Sequence, residues 1–122
     1  MSKRILVVED QEDNRQILRD LLASAGYAMC EAGDGEAGVV AAKTERPDLI
    51  LMDIQLPLLD GYEATRRIKA DPDLKAIPII VVTSYALSGD EAKARAAGCD
   101  AYVTKPYSPR QLLAKIREFL PA

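Results

Sequence analysis

The chain has 122 residues, of which 48% are apolar and 29% charged, and 16 Lys and Arg against 19 Asp and Glu leave a net charge of −3. That suits one compact domain around a single core. The absence of histidine and tryptophan, with one Phe and five Tyr, excludes histidine acid–base chemistry, histidine metal ligands and a phosphohistidine carrier, and with the mild acidity it argues against a nucleic-acid platform.

The first apolar run, Ile5–Val8, reads as a strand buried on both faces. A helical pattern follows, with Ile17, Leu18, Leu21, Leu22 and Ala25 on one face and Gly26 placed to end it. Tyr27–Cys30 is the second strand. The second helix opens at Asp34, carries Ala37, Val40 and Ala41, and stops near Arg46 because Pro47 follows. Leu49–Met52 is the third strand, and Asp60 with Gly61 forms a turn into a third helix from about Tyr62 to Ala70, with Ala64, Thr65 and Ile68 together. Ile79–Val82 is the fourth strand. Ser88 to Glu91 has the pattern of a capping box for a fourth helix whose inward candidates are Ala92, Ala94, Ala96 and Ala97, ended by Gly98. Ala101–Val103 is the fifth strand. A second capping box, Ser108 with Gln111, opens a fifth helix with Pro109 in its first turn and Leu112, Leu113, Ile116, Phe119 and Leu120 on its apolar face.

Strict βα alternation with short connections predicts an α/β fold: a doubly wound, parallel, five-stranded (βα)5 sheet in the order 2-1-3-4-5, flavodoxin-like. Cys30 and Cys99 match no CxxC spacing and are expected to be small buried hydrophobes. The longest apolar run, Ala76 to Val82, falls short of the ~18 residues of a membrane span, and the N-terminus has no signal-peptide pattern. A cytoplasmic protein without membrane insertion is expected.

In such a sheet the ligand site lies beyond the carboxyl ends of the strands, where the winding reverses, here between strands one and three. Glu9 and Asp10 follow the first strand, Asp53 the third and Thr83 the fourth, and Lys105 stands just past the fifth. Three carboxylates and one ammonium leave a charge of about −2 in a small volume, which would raise a pKa unless a cation cancels it. The donors are hard oxygens, so Mg²⁺ is the expected ion. One carboxylate can then act as nucleophile toward a phosphoryl group, with Thr83 and Lys105 on the phosphoryl oxygens.

Over residues 3 to 120 the chain resembles a bacterial two-component response-regulator receiver domain. The resemblance rests on Val7 to Asp10, Leu51 to Pro57, Asp60 and Gly61, Val82 to Ser84, and Tyr102 to Pro106. The wording at Asp53 to Pro57 and at Asp71 to Leu74 resembles stand-alone receivers of the cell-cycle, polarity and chemotaxis type, and receivers of hybrid kinases share it. The resemblance implies that Asp53 is the phosphoacceptor, that Asp10 and Asp53 ligate Mg²⁺ directly, Glu9 partly through water and Gln55 through its carbonyl, and that Lys105, ahead of a cis Lys105–Pro106 bond, holds the phosphoryl oxygens. It also implies that Thr83 moves toward the phosphoryl group and that Tyr102 swings inward from an exposed position. Gln55 and Tyr85 would tune the phosphoryl lifetime. The donor would be a histidine kinase or a histidine phosphotransfer protein. The output would be a downstream protein met by the fourth helix, fifth strand and fifth helix, the fourth helix being held by little more than alanines. Such a protein is a phosphoacceptor rather than an enzyme in the ordinary sense.

Other readings compete. A haloacid-dehalogenase-type phosphohydrolase wants a second acid two residues after the nucleophile, where Gln55 stands. A flavin carrier wants a Ser/Thr/Gly phosphate loop, where the acidic run from Glu9 to Asp13 stands. A docking module with a vestigial site needs none of these side chains. Met1 and the terminal fifth helix are expected to bound a complete protein of one receiver domain, residues 1–122, against a receiver excised from a hybrid kinase or larger regulator.

Overall fold

The computed structural model describes residues 3–83 and 90–121, the side chain of Asp90 excepted. The order is β1 (Arg4–Val8), α1 (Glu12–Ser24), β2 (Ala28–Ala32), α2 (Gly35–Glu45), β3 (Leu49–Asp53), α3 (Gly61–Ala70), β4 (Ile79–Thr83), α4 (Asp90–Ala96), β5 (Ala101–Thr104) and α5 (Pro109–Phe119). All strand pairs are parallel, in the order β2-β1-β3-β4-β5. This is the doubly wound, flavodoxin-like sheet expected from the alternation.

The two sides of the sheet divide the apolar residues by strand parity. Leu6, Val8, Ile50, Met52, Ile79 and Val81 face a core closed by α2, α3 and α4. Ile5, Val7, Leu49, Leu51, Ile80 and Val82 face a second core closed by α1 and α5. A strand with helices over both faces needs apolar residues at every position, so β1, β3 and β4 read as unbroken runs. The second strand lies at the edge and starts at Ala28 rather than Tyr27, and within it only Ala32 is buried.

Caps set the helix ends. Asp34 accepts the Ala37 N–H at 2.7 Å, and Asp60 accepts the Glu63 N–H at 2.9 Å. Ser108 and Gln111 close a reciprocal capping box, at 2.9 and 3.0 Å. Arg46 ends α2 at φ 44° just before Pro47.

Three expected helix faces need correction. Ile17 is 63% exposed, so the buried stripe of α1 is Leu18 and Leu22. Val40 is 59% exposed, whereas Ala37 and Ala41 pack against the core as expected, joined by Gly35, Gly38 and Ala42. A β-carbon on Gly38 would stand 2.9 Å from Val8 Cγ1, and one on Gly35 would stand 1.7 Å from Leu59 O. At these two positions the helix approaches its neighbours too closely for a side chain. Near α4, Ala94 and Ala97 are buried while Ala92 and Ala96 are exposed. The capping box at Ser88, together with Ser84 and Tyr85, lies outside the described residues. Cys30 and Cys99 are free thiols, half-buried and buried. Among the described residues no helix is long and apolar enough to cross a membrane.

Candidate functional site

Parallel pairing puts the ends of β1, β3, β4 and β5 on one rim. Val8 is level with Met52, Asp53 with Val82, and Thr83 with Thr104. Glu9, Asp53, Thr83 and Lys105 therefore meet at one edge because each strand stops there.

Glu9 turns inward and is 3% exposed, while Asp10 faces out. Carboxylate oxygens of Glu9, Asp10 and Asp53 all lie within 4.8 Å of one another. Lys105 Nζ lies 3.2 Å from Glu9 Oε1 and 3.5 Å from Asp53 Oδ2. The Lys105 N–H donates to the Thr83 carbonyl at 2.7 Å, which ties the β5–α5 corner to β4. The Lys105–Pro106 bond is cis. Thr83 is buried at 1% exposure. The Gln55 N–H reaches toward Asp53 Oδ1 at 3.4 Å. Tyr102 is half-buried and packed against the α2–α3–α4 core, not exposed as expected.

The electrostatics follow from this crowding. Asp53 is pushed up to about 6, first by burial and then by the Glu9 carboxylate, with Lys105 opposing. Burial acts upward on Glu9 too, but the hydrogen bond shared with Asp53 and the Lys105 charge outweigh it and hold Glu9 low. Asp10 is raised by desolvation and by Glu9. Lys105 is raised because the Asp53 and Glu9 carboxylates overcome its desolvation. The cluster thus carries more negative charge than its lysine cancels. Three hard oxygen donors around one point, with no thiolate or imidazole among them, fit an ion of the Mg²⁺ class.

Asn14, Arg15 and Glu31, which the sequence reading did not assign to the site, complete it. Asn14 Nδ2 donates to Glu9 Oε1 at 3.1 Å. Arg15 Nη1 donates to the Glu9 carbonyl at 2.6 Å, and Glu31 holds Arg15 Nε at 3.2 Å. Glu31 follows Cys30 toward the carboxyl end of β2, so its place on the rim was legible; its ion pair across to α1 was not. Gly61 seats the start of α3 against the backbone of Asp53.

Comparison with known proteins agrees with this geometry. The family model described as the response regulator receiver domain matches residues 5–117. The polar-differentiation response regulator DivK of Brucella anthropi is 42% identical over 120 residues, 98% of each chain. The receiver domain of the sensor histidine kinase PA1611 of Pseudomonas aeruginosa, with a magnesium ion coordinated in its active site cleft, superposes at TM-score 0.92 with 37% identity and 100% of both chains covered. A CheY-like receiver domain protein of Methanospirillum hungatei superposes at TM-score 0.90 with 33% identity, covering 97% of this chain and 93% of that one.

Proposed function

The chain belongs to the response regulator receiver domain family, and from that premise we propose that Asp53 takes a phosphoryl group from a histidine kinase or a histidine phosphotransfer protein, and that the modified domain signals through a protein partner. The observation that carries the reading is the carboxylate cluster of Glu9, Asp10 and Asp53 with the Lys105 ammonium against two of its members.

An oxygen of ionised Asp53 attacks phosphorus. The bond from phosphorus to the donor imidazole nitrogen breaks, its electron pair leaves with that nitrogen, and an acyl phosphate remains. Even with its metal-free pKa raised to about 6, Asp53 is mostly ionised near neutral pH and so can act as a nucleophile. Glu9, Asp10, Asp53 and the Gln55 carbonyl would hold Mg²⁺, which when bound offsets the charge of the phosphoryl oxygens. Lys105, 3.5 Å from Asp53 Oδ2, would offset the same charge. The Thr83 hydroxyl is the nearest neutral donor on β4, and its movement vacates space for Tyr102. Among the described residues, Ala94 in α4 and Ala97 just past its end are buried by a methyl group each, worth about 0.8 kcal/mol for each buried carbon, so α4 is lightly held and readily displaced. Gln55 in place of a second acid disfavours phosphohydrolase chemistry.

Incubation with Mg²⁺ and a small acyl phosphate should raise the intact mass by one phosphoryl group. Asp53→Asn and a chelator should each abolish the gain. Modification that survives Asp53→Asn would refute the assignment. Thr83→Ala and Tyr102→Ala proteins whose partner binding still depends on phosphorylation as before would refute the switch.

A further inference from the structure

We infer that Arg15 is a positioning residue of the metal site, acting through the backbone of Glu9; this rests on the reading of Glu9, Asp10 and Asp53 as the ion's ligands.

The β1–α1 corner carries two of the three carboxylates; the Glu9 carboxylate is held by Asn14, Lys105 and the Gln11 N–H, and the backbone beneath it is held separately. Gln11, the cap of α1, makes no side-chain capping bond. Arg15 ties the corner in another way, by donating to the chain that leads into the helix. Its side chain is only 18% exposed. Nη1 donates to the Glu9 carbonyl at 2.6 Å, Nη2 meets Glu12 Oε2 at 2.6 Å, and Nε meets Glu31 Oε1 at 3.2 Å. Glu31 is itself fixed by Arg19, whose Nη2 lies 2.6 and 2.7 Å from its two carboxylate oxygens. From the far side, the Glu9 N–H donates to the Ala32 carbonyl at 3.0 Å. The peptide units of Glu9 are thus clamped between β2 and a guanidinium, and this clamp fixes the backbone from which the Glu9 and Asp10 side chains project.

The role is geometric rather than electrostatic. Arg15 lies against two carboxylates, Glu12 and Glu31, so its positive charge is already offset. What it supplies is a planar fork with several donors at fixed angles, which an ammonium cannot reproduce. Outer partners of metal ligands typically control affinity by about 10–100-fold.

The test measures metal affinity and stability separately, without any phosphoryl donor. Free Mn²⁺ is counted by electron paramagnetic resonance, with Mg²⁺ as competitor, for the unmodified protein and for Arg15→Ala, Arg15→Lys and Glu31→Ala. Each metal-free protein is also unfolded in urea. Arg15→Ala should weaken metal binding by about tenfold. Arg15→Lys should recover little of that loss, and Glu31→Ala should show a smaller loss in the same direction. Variants that lose stability yet keep metal affinity within about twofold would assign Arg15 a purely structural role and overturn the inference, as would full rescue by lysine. If Arg15→Ala does not fold, Arg15→Lys and Glu31→Ala decide by the same criteria. An unmodified protein that binds no Mn²⁺ would instead overturn the metal-site reading on which the inference rests.

Discussion

A β-carbon on Gly61 would stand 2.0 Å from the carbonyl oxygen of Asp53. The start of α3 is therefore pressed against the backbone of the residue proposed to be phosphorylated. The Gly61 N–H also donates to the Ile54 carbonyl at 2.9 Å, so the contact is bonded as well as close. Alanine in a first helical turn is ordinarily favourable relative to glycine. Here the obstacle is backbone, which cannot rotate away. Gly61→Ala should cost about 1–3 kcal/mol in urea unfolding, and should also slow labelling by an acyl phosphate. A gain in stability would show that α3 can shift freely away from the site.

Asp53 is expected to make metal-free stability depend on pH. Its folded pKa of about 6 exceeds the ordinary aspartate value of 3.8, so between the two the native state keeps the proton that the unfolded chain has lost. The contribution of Asp53 to stability should be largest below the unfolded pKa, fall as pH rises between the two values, and level off above about 6, opposed by carboxylates such as Glu9 whose pKa is held low. Asp53→Asn should flatten that fall and stabilise the metal-free protein at pH 7.5 by about 1–3 kcal/mol. Mg²⁺ should stabilise the unmodified protein, by about 2.7 kcal/mol at a hundredfold excess over its Kd, and Asp53→Asn much less. Urea titrations across pH, with and without Mg²⁺, measure both effects.

Thr65 offers an independent check on the core. Its side chain is fully buried, and Oγ1 has no hydrogen-bond partner among the described residues. Valine has the same shape without the hydroxyl. Thr65→Val should stabilise by about 1–2 kcal/mol in urea unfolding and leave metal binding unchanged, because the residue is not part of the rim.

Tyr27 ties the end of α5 to the sheet edge. Its hydroxyl donates to the Leu120 carbonyl at 2.8 Å in a buried setting. Tyr27→Phe leaves that carbonyl without its partner and should cost about 1–2 kcal/mol. Amide exchange should rise first at the last turn of α5.

Architecture was legible from the sequence because burial on two faces, capping side chains and prolines are local signals. The unbroken runs in β1, β3 and β4, the Ser108–Gln111 box and the stop before Pro47 each declare themselves within a few residues. The rim residues were legible for the same reason: once strands are parallel, whatever follows them shares an edge. Packing between elements was not. Glycine contributes nothing to apolar periodicity, so α2 appeared to bury Val40, whereas Gly35 and Gly38 bring its backbone against Val8 and Leu59. Ile17 satisfies the helical period, yet the arc that α1 turns to the sheet is narrower than its apolar stripe. The burial of Glu9, the half-burial of Tyr102 and the Arg15–Glu31 clamp depend on side chains from elements distant in sequence. Chain order alone determined which groups meet at the rim; only the tertiary structure decided how deeply each is buried and what holds it, because desolvation and hydrogen bonding are set by neighbours that the chain brings together only when folded.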